Sequence, residues 1–205
     1  MRYICLMFAV TPDWDGGSGY VRLLRAAWDA IGDVGHAGLK IRSLAAAAEV
    51  SPSLFHKYFR SLDDLRAEMA GAGLATLLAN LSDEESLEDF ANAWVRFAEA
   101  CPRHYALMFA PRLSRHPNVL RRLSALADAI RDRVRPLGLD PDGPQLLTIW
   151  GVLHGAAALV VAGFPREPGP VLTAPLHAWF DQLTCKTACH SRSPAGCRGA
   201  PAEGP

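Results

Sequence analysis

The chain has 205 residues, half of them apolar, with 21 basic and 21 acidic side chains and a formal net charge of zero. This length suits one large domain, or a small domain joined to a larger one. The neutral balance argues against a protein that holds nucleic acid through bulk electrostatics alone, because nonspecific affinity comes mainly from neutralised phosphates. A site-specific DNA-binding protein is still compatible with it, if a few cations lie on one face.

Taken in chain order, the sequence predicts an all-α protein of about nine helices. Proline and glycine punctuate the chain, and little of it alternates strictly between apolar and polar residues as a half-buried strand would. The expected helices span residues 20–34, 41–48, 52–58 or 59, 62–81, 84–100, 102–110, 117–135, 143–163 and 170–183. Residues 1–18 are expected to be a flexible N-terminal extension, and residues 185–205 a disordered tail.

Two short helices joined by a three-residue turn stand out near the N-terminus. Ala45 and Ala48 are small and let the two helices cross closely, while Phe55 and Phe59 anchor the second helix on the first. Ser51 is a good N-cap for the second helix. The opposite face of that helix is polar, and its N-terminal end suits entry into a major groove. The arrangement predicts a helix-turn-helix within residues 19–65.

This segment resembles the DNA-binding region of tetracycline-repressor-like regulators. The resemblance rests on residues 41–45, 50–51, 55–59 and 61–65. It implies that Arg42 approaches the DNA backbone and that the second helix lines the groove of double-stranded operator DNA. Leu54 either packs inward or touches a thymine methyl group. The candidate DNA-binding residues are Lys40, Arg42, Ser51, Pro52, Ser53, Leu54, His56, Lys57 and Tyr58.

Several positions depart from the family pattern. Glu49 stands where the turn usually has Gly, and Lys40 where Thr or Ser usually caps the second helix. His56 and Tyr58 stand where Tyr and His are common, and Leu62 replaces a Lys that often touches phosphate. These departures concern the affinity for DNA more than the fold.

Aromatic residues cluster in the expected helices after residue 80. Aromatics at helical spacing usually form core, but between the helices of a bundle they also line cavities for apolar ligands. Trp150, His154 and Gly155 resemble the Trp-His-Gly signature of one group of C-terminal domains in the same family, and so does the run at 102–109. The alternative for His154 is a satisfied core or interface residue. The candidate ligand-binding residues are Trp94, Phe97, Tyr105, Met108, Phe109, Trp150 and His154.

The helices at 143–163 and 170–183 resemble the pair that forms the dimer interface of the family. Two-fold pairing places two recognition helices on successive major-groove turns, and a small-molecule effector would favour a conformer that no longer matches that spacing. The resemblance therefore implies a ligand-binding and dimerisation domain over residues 66–184. The expected function is a cytoplasmic, homodimeric repressor released from its operator by a small, largely apolar ligand.

Other interpretations compete with this one. A membrane span over residues 146–164 is disfavoured because Gly and His lower its hydropathy and its flanks lack a cationic cluster. No nucleophile–base pair, metal triad or phosphate loop has a convincing spacing, so we expect no catalytic residue, no metal and no cofactor. Cys185, Cys189, His190 and Cys197 are zinc-ligand types at irregular spacing. The alternative function is a helical small-molecule-binding protein, or an enzyme, that has lost operator binding.

A basic cluster lies in the middle of the chain. It consists of Arg103, Arg112, Arg115, Arg121 and Arg122. Such a cluster either holds an anion or is an ordinary solvated face.

Overall fold

The computed structural model of the protein describes Pro12, residues 14–138 and residues 144–164. Within these residues the chain forms eight α-helices and no strand, which confirms the expected all-α class. The helices are α1 (Gly19–Val34), α2 (Ile41–Ala47), α3 (Pro52–Tyr58), α4 (Leu62–Ser82), α5 (Leu87–Ala100), α6 (Pro102–Met108), α7 (Pro117–Val134) and α8 (Pro144–Val161). Short 3-10 helices cover His36–Gly38 and Arg135–Leu137. The helix expected at 170–183, the tail at 185–205 and most of the N-terminal extension lie outside the described residues.

Serine side chains set the start of four helices. The Oγ atoms of Ser18, Ser51, Ser61 and Ser86 accept the backbone N–H three residues ahead, at 3.3, 3.3, 3.1 and 3.0 Å. Each such cap satisfies a helix N–H that would otherwise lack a partner, and contributes about 1 kcal/mol. The cap at Ser86 also explains why α5 begins at Leu87, not at residue 84 as the sequence had indicated.

The N-terminal unit consists of α1, α2 and α3. Leu23, Leu24 and Ile31 of α1 are fully buried, and Phe55 of α3 has no exposed surface. Because apolar side chains from all three helices pack in the core, which continues into the rest of the protein, α3 is held at a fixed angle to α2.

The remaining helices, α4 to α8, form a helical bundle in which α4 and α7 run in the same direction. Asn118, at the start of α7, donates from Nδ2 to Oε2 of Glu68 at 3.1 Å. At the other end of α7, Arg133 donates to the carbonyls of Leu81 and Glu84, at 3.3 and 2.9 Å. The start of α7 therefore lies at the end of the bundle nearest the N-terminal unit.

Two glycines of α4 mark where neighbouring helices approach closely. An added Cβ at Gly71 would lie 2.6 Å from Nδ2 of Asn118, and one at Gly73 would lie 2.9 Å from Sδ of Met108. The helix runs unbroken through both positions. These glycines therefore admit α7 and α6 against the face of α4.

Candidate functional site

The turn between α2 and α3 is tight and carries one unusual backbone conformation. The N–H of Val50 donates to the carbonyl of Ala45 at 2.9 Å and closes the turn. Glu49 adopts a φ of +52°, in the left-handed region that favours glycine. The residue that departs from the family's usual glycine thus keeps the glycine-like conformation, which costs a non-glycine residue about 1–2 kcal/mol.

One face of α3 and its cap is open to solvent. It consists of Ser51, Pro52, Ser53, His56, Lys57 and Tyr58, all of which are exposed. The hydroxyl groups of Ser51 and Ser53 lie 2.8 Å apart at the N-terminal end of the helix. We call this set the reading face, because it presents hydrogen-bonding groups and one cation without covering side chains from the described residues.

Leu54 lies differently from the other α3 candidates. It is half-buried, and an added Cβ at Gly19 would lie 2.6 Å from its Cδ2 atom. Its side chain therefore packs against the first turn of α1. The structure shows an inward contact of Leu54, and its contact with a thymine methyl group stays a prediction.

Tyr58 is supported by an aromatic residue that the sequence analysis missed. The ring of Tyr20 contacts the ring of Tyr58 edge-on at 5.3 Å and stacks on Phe59 at 5.7 Å. Burial raises the pKa of Tyr20, with a smaller contribution from the negative charge of Glu68. Tyr20 lies in the first turn of α1, and no spacing signal links it to residues 38 positions away.

Lys40 and Arg42 lie at the start of α2, and both are exposed. Lys40 occupies the N-cap position and makes no side-chain capping hydrogen bond. A cation at this end is unfavourable for the helix dipole, so Lys40 adds nothing to the stability of α2. Both cations are instead free to meet an anion outside the protein.

In the bundle, three side chains from three helices form a hydrogen-bonded chain. Trp94 of α5 donates from Nε1 to the hydroxyl of Tyr105 of α6 at 2.9 Å. The same hydroxyl lies 2.9 Å from Nδ1 of His154 of α8. We assign Tyr105 as the donor to Nδ1, because the hydroxyl then both accepts from Trp94 and uses its own proton. In this assignment the proton of neutral His154 lies on Nε2.

Burial keeps Tyr105 and His154 uncharged. It raises the pKa of Tyr105 well above its ordinary value, against a smaller lowering by the hydrogen bond from Trp94. Burial also lowers the pKa of His154. Both residues are therefore uncharged at neutral pH, and Nε2 of His154 presents an N–H donor.

Aromatic rings pack around this chain. Phe109 lies 4.5 Å from the His154 ring and 4.8 Å from the Tyr105 ring, between centroids. Trp150 meets Trp94 edge-on at 5.7 Å and Phe109 at 6.4 Å. Five of the seven candidate ligand-binding residues thus form one contiguous aromatic cluster, and their rings contact each other instead of standing apart around an open chamber.

The other two candidates lie outside that cluster of contacts. Phe97 is fully buried in the core. Met108 is 1% exposed and packs at Gly73 of α4, beside the ring of Trp28. Phe97 and Met108 are as buried as Trp94 and Tyr105, and their part in ligand binding stays a prediction.

The N-terminal end of α6 contacts the N-terminal unit. Arg103 donates to the carbonyl of Gly32 at 2.8 Å and to that of Asp33, at the end of α1. His104 is buried, lies 4.1 Å from the Trp28 ring, and donates from Nε2 to the Trp28 carbonyl at 3.0 Å. Burial lowers the pKa of His104, while this hydrogen bond and Asp29 act in the opposite direction. The sequence analysis missed this contact, since about 70 residues separate its two sides.

One face of α8 is apolar and uncovered by described residues. Ile149 and Leu153 are buried, whereas Leu147 is 75% exposed and Leu159 46% exposed. By length and composition α8 is long and apolar enough to cross a membrane, with a mean hydropathy of 1.5 and 22% of the span buried.

Among the described residues, no group of three or more His, Cys, Asp or Glu side chains is placed to hold a metal ion. The candidate zinc residues Cys185, Cys189, His190 and Cys197 lie outside the described part of the chain.

Two family models match the chain. Residues 23–69 match the model described as "Bacterial regulatory proteins, tetR family", and residues 87–183 match "Tetracyclin repressor-like, C-terminal domain". Together they cover well over half of the 205 residues. The first match contains the reading face, and the second contains the aromatic cluster. These matches do not single out the Trp-His-Gly group, which stays a prediction.

Solved structures share the fold. The fatty acid degradation regulator FadR from Bacillus halodurans is 14% identical with a TM-score of 0.62, covering 83% of this chain and 97% of that one. FadR from Bacillus subtilis, in complex with stearoyl-CoA, is 14% identical with a TM-score of 0.57, covering 80% and 97%. A TetR variant from Acinetobacter baumannii AYE, in complex with minocycline, is 18% identical with a TM-score of 0.58, covering 88% and 100%. No curated protein matches the chain.

Proposed function

The chain belongs to the tetracycline-repressor family of transcriptional regulators, and we propose that it is a homodimeric repressor whose operator complex is released by a small, largely apolar ligand. The observation that carries the proposal is the reading face, an exposed polar helix face held rigidly by a buried core. We assign residues 19–65 to DNA binding and residues 66–184 to ligand binding and dimerisation, in the cytoplasm.

The reading face has the chemistry of a groove-binding helix. Ser53 and His56 offer hydrogen-bond donors and acceptors to base edges, while Lys57 offers a cation to phosphate. Lys40 and Arg42 extend the positive surface to the start of α2. Pro52 and Tyr58 complete the contact surface, and Leu54 supports it from behind by packing on α1.

The direct test is DNA binding by a double variant, His56→Ala/Lys57→Ala. We expect the wild type to bind its own upstream DNA in preference to shuffled DNA, and the double variant to lose at least about tenfold in affinity. The matched control is Arg135→Ala, an exposed cation at the far end of α7, which should bind as the wild type does. Equal affinity of the double variant and the wild type would overturn this assignment.

We place the effector at the aromatic cluster. Trp94, Tyr105, Phe109, Trp150 and His154 combine apolar ring faces with one buried hydrogen-bonded chain, which is the usual composition of a small-molecule site. Stearoyl-CoA, the ligand of one neighbour, carries a long apolar acyl chain, which supports an apolar ligand here. Nε2–H of His154 adds a donor, so we expect a ligand that carries an oxygen acceptor. Since the rings contact each other, the ligand has to part them.

Separation of the rings would displace α6, and this displacement would reach the N-terminal unit. Tyr105 and Phe109 belong to the cluster, while the neighbouring Arg103 and His104 hold the end of α1. A displacement of this seven-residue helix therefore changes the support of the DNA-binding unit. We propose that ligand binding shifts the population toward a conformer that does not fit the operator.

The exposed face of α8, together with residues 170–183, is the proposed dimer interface. An apolar face of this kind is unfavourable in water and needs a covering surface. We expect the wild type to sediment as a dimer of the 22.2 kDa chain and Leu147→Glu to sediment as a monomer. Leu120→Glu is the control, because Leu120 on α7 is 50% exposed. A wild-type monomer at micromolar concentration would count against the interface.

A further inference from the structure

The sequence from residue 100 to residue 127 contains five arginines and no acidic residue. This stretch contains α6, the turn that follows it and the first half of α7. By contrast, residues 19–65 contain six basic and five acidic residues, a net charge of +1. The helix-turn-helix therefore carries little positive charge with which to attract a polyanion, while the adjoining bundle carries a local excess.

All five of these arginines are exposed, and Arg103 is held by the carbonyls of Gly32 and Asp33. The other four lie in two pairs. Arg112 and Arg115 lie in the turn before α7, and Arg121 and Arg122 lie in the second turn of α7. None of them makes an ion pair with a described residue, and Arg121 bonds only to the neutral Asn118 amide oxygen, at 3.3 Å. We call these four residues the arginine surface. At the other end of α7, Arg131 and the C-cap residue Arg135 pair with Asp128 and Asp132, while Arg133 donates to the carbonyls of Leu81 and Glu84.

The arginine surface lies at the end of the bundle that adjoins the N-terminal unit. Asn118 contacts α4 at Glu68 and Gly71, which are six and nine residues beyond the start of that helix at Leu62. At a rise of about 1.5 Å per residue, this is roughly 9–14 Å along α4. Only three residues join α3 to α4, so Asn118, which is next to the arginine surface in sequence, contacts α4 near the end that follows α3, the helix of the reading face.

We propose that the arginine surface is a second DNA-facing surface, which attracts the phosphate backbone of the duplex whose groove the reading face occupies. This inference rests on the proposed function. Its ligand chemistry is the phosphodiester chain and not the bases, because arginine side chains in a turn and along one helix match charge and present no fixed pattern to base edges. It supplies the sequence-independent attraction that the nearly neutral helix-turn-helix lacks.

The test is the salt dependence of DNA binding by the dimeric full chain. We expect Arg112→Ala/Arg115→Ala to reduce the slope of log K against log salt by about 3.6, since the dimer loses four arginines and each lost phosphate contact removes about 0.9. Between 50 and 200 mM salt the wild type would then lose roughly a hundredfold more affinity than the variant. Binding to shuffled DNA should weaken by the same factor, so the preference for the upstream DNA should stay unchanged.

Two further variants make the test decisive. Arg121→Ala/Arg122→Ala should reproduce the effect without altering the turn. Arg131→Ala/Arg135→Ala removes the same charge at the other end of α7 and should leave the slope at the wild-type value. Thermal unfolding midpoints establish that each variant is folded.

The outcomes separate the inference from the proposed function. Slopes that are equal in the wild type and in both arginine-surface variants overturn the inference, and so does a loss of preference for the upstream DNA. A wild type with no preference for its upstream DNA overturns the proposed function instead, whatever the slopes are.

Discussion

The hydroxyl of Tyr105 joins Nε1 of Trp94 to Nδ1 of His154, each at 2.9 Å, and thereby ties α5, α6 and α8 together inside the bundle. The Tyr105 hydroxyl is the hydrogen-bond partner of both Trp94 and His154. Because an unpaired buried polar group is costly, this chain helps to fix the position of α6.

Removing the Tyr105 hydroxyl should destabilise the protein. In Tyr105→Phe the indole N–H of Trp94 and Nδ1 of His154 both lose a partner, so we expect a loss of about 1–3 kcal/mol in the free energy of unfolding, measured by urea denaturation. Tyr20→Phe is the control, because no hydrogen bond of the Tyr20 hydroxyl to a described residue is found, and it should change stability by less than about 0.5 kcal/mol. Nitrogen NMR of the imidazole should show the Nε2–H tautomer in the wild type. Equal stabilities of the two variants would contradict a stabilising role of the hydrogen bonds that join Trp94, Tyr105 and His154.

Stability should fall as the pH is lowered from neutral. Burial lowers the pKa of His104 and His154 in the folded protein below the ordinary value of 6.5. The unfolded chain then binds more protons, so the stability that neutral histidines confer is full above about pH 6.5 and is lost as the pH falls toward the lower, folded pKa values. The urea midpoint should decrease from pH 7 to pH 5, and the decrease should be smaller in His104→Gln/His154→Gln. An identical decrease in that variant would exclude these two groups as its cause.

Replacing Glu49 with glycine should stabilise the turn. Glu49 has a φ of +52°, and glycine adopts that conformation without the contact between Cβ and the backbone. Glycine also gives the unfolded chain more conformational entropy, which offsets part of this benefit. We therefore expect the free energy of unfolding to rise by about 0.5–1 kcal/mol in Glu49→Gly. Glu49→Ala keeps the Cβ atom and should show no gain. A stabilised alanine variant would mean that the carboxylate, not the backbone, is the source of strain.

Loss of the Arg103 contact should loosen the end of α1. The guanidinium group donates to the carbonyls of Gly32 and Asp33, which are among the last of that helix. In Arg103→Ala, backbone hydrogen exchange in the last turn of α1 should become faster, while exchange in α7 stays at the wild-type rate. Unchanged exchange in α1 would show that His104 alone supports that end of the helix.

The local signals of the sequence were sufficient to predict most of the described helices. Helices expected to begin at residues 41, 52, 62, 102 and 117 begin there, and those expected at 20 and 143 begin one residue away. The exposed face of α3 also followed from the pattern, because its apolar residues recur at helical spacing and its polar residues lie opposite.

Pairings between distant residues could not be predicted in this way. Tyr105 and His154 are 49 positions apart, and Arg103 reaches a carbonyl 71 positions away. Helical periodicity places a residue on a face but does not say which neighbour that face meets. Met108 illustrates this, since it shares the predicted ligand set with Phe109 and yet packs against Gly73 of α4.

The measurement that tests the central claim most directly is a footprint of the wild-type protein along its own upstream DNA. We expect protection of an inverted repeat whose half-sites lie one helical turn, about 34–36 Å, or a multiple of it apart, because a two-fold dimer presents two α3 helices. The same protection should be absent with His56→Ala/Lys57→Ala. A wild-type protein that protects no discrete sequence, or a double variant that protects the same sequence equally well, would contradict DNA recognition through the reading face.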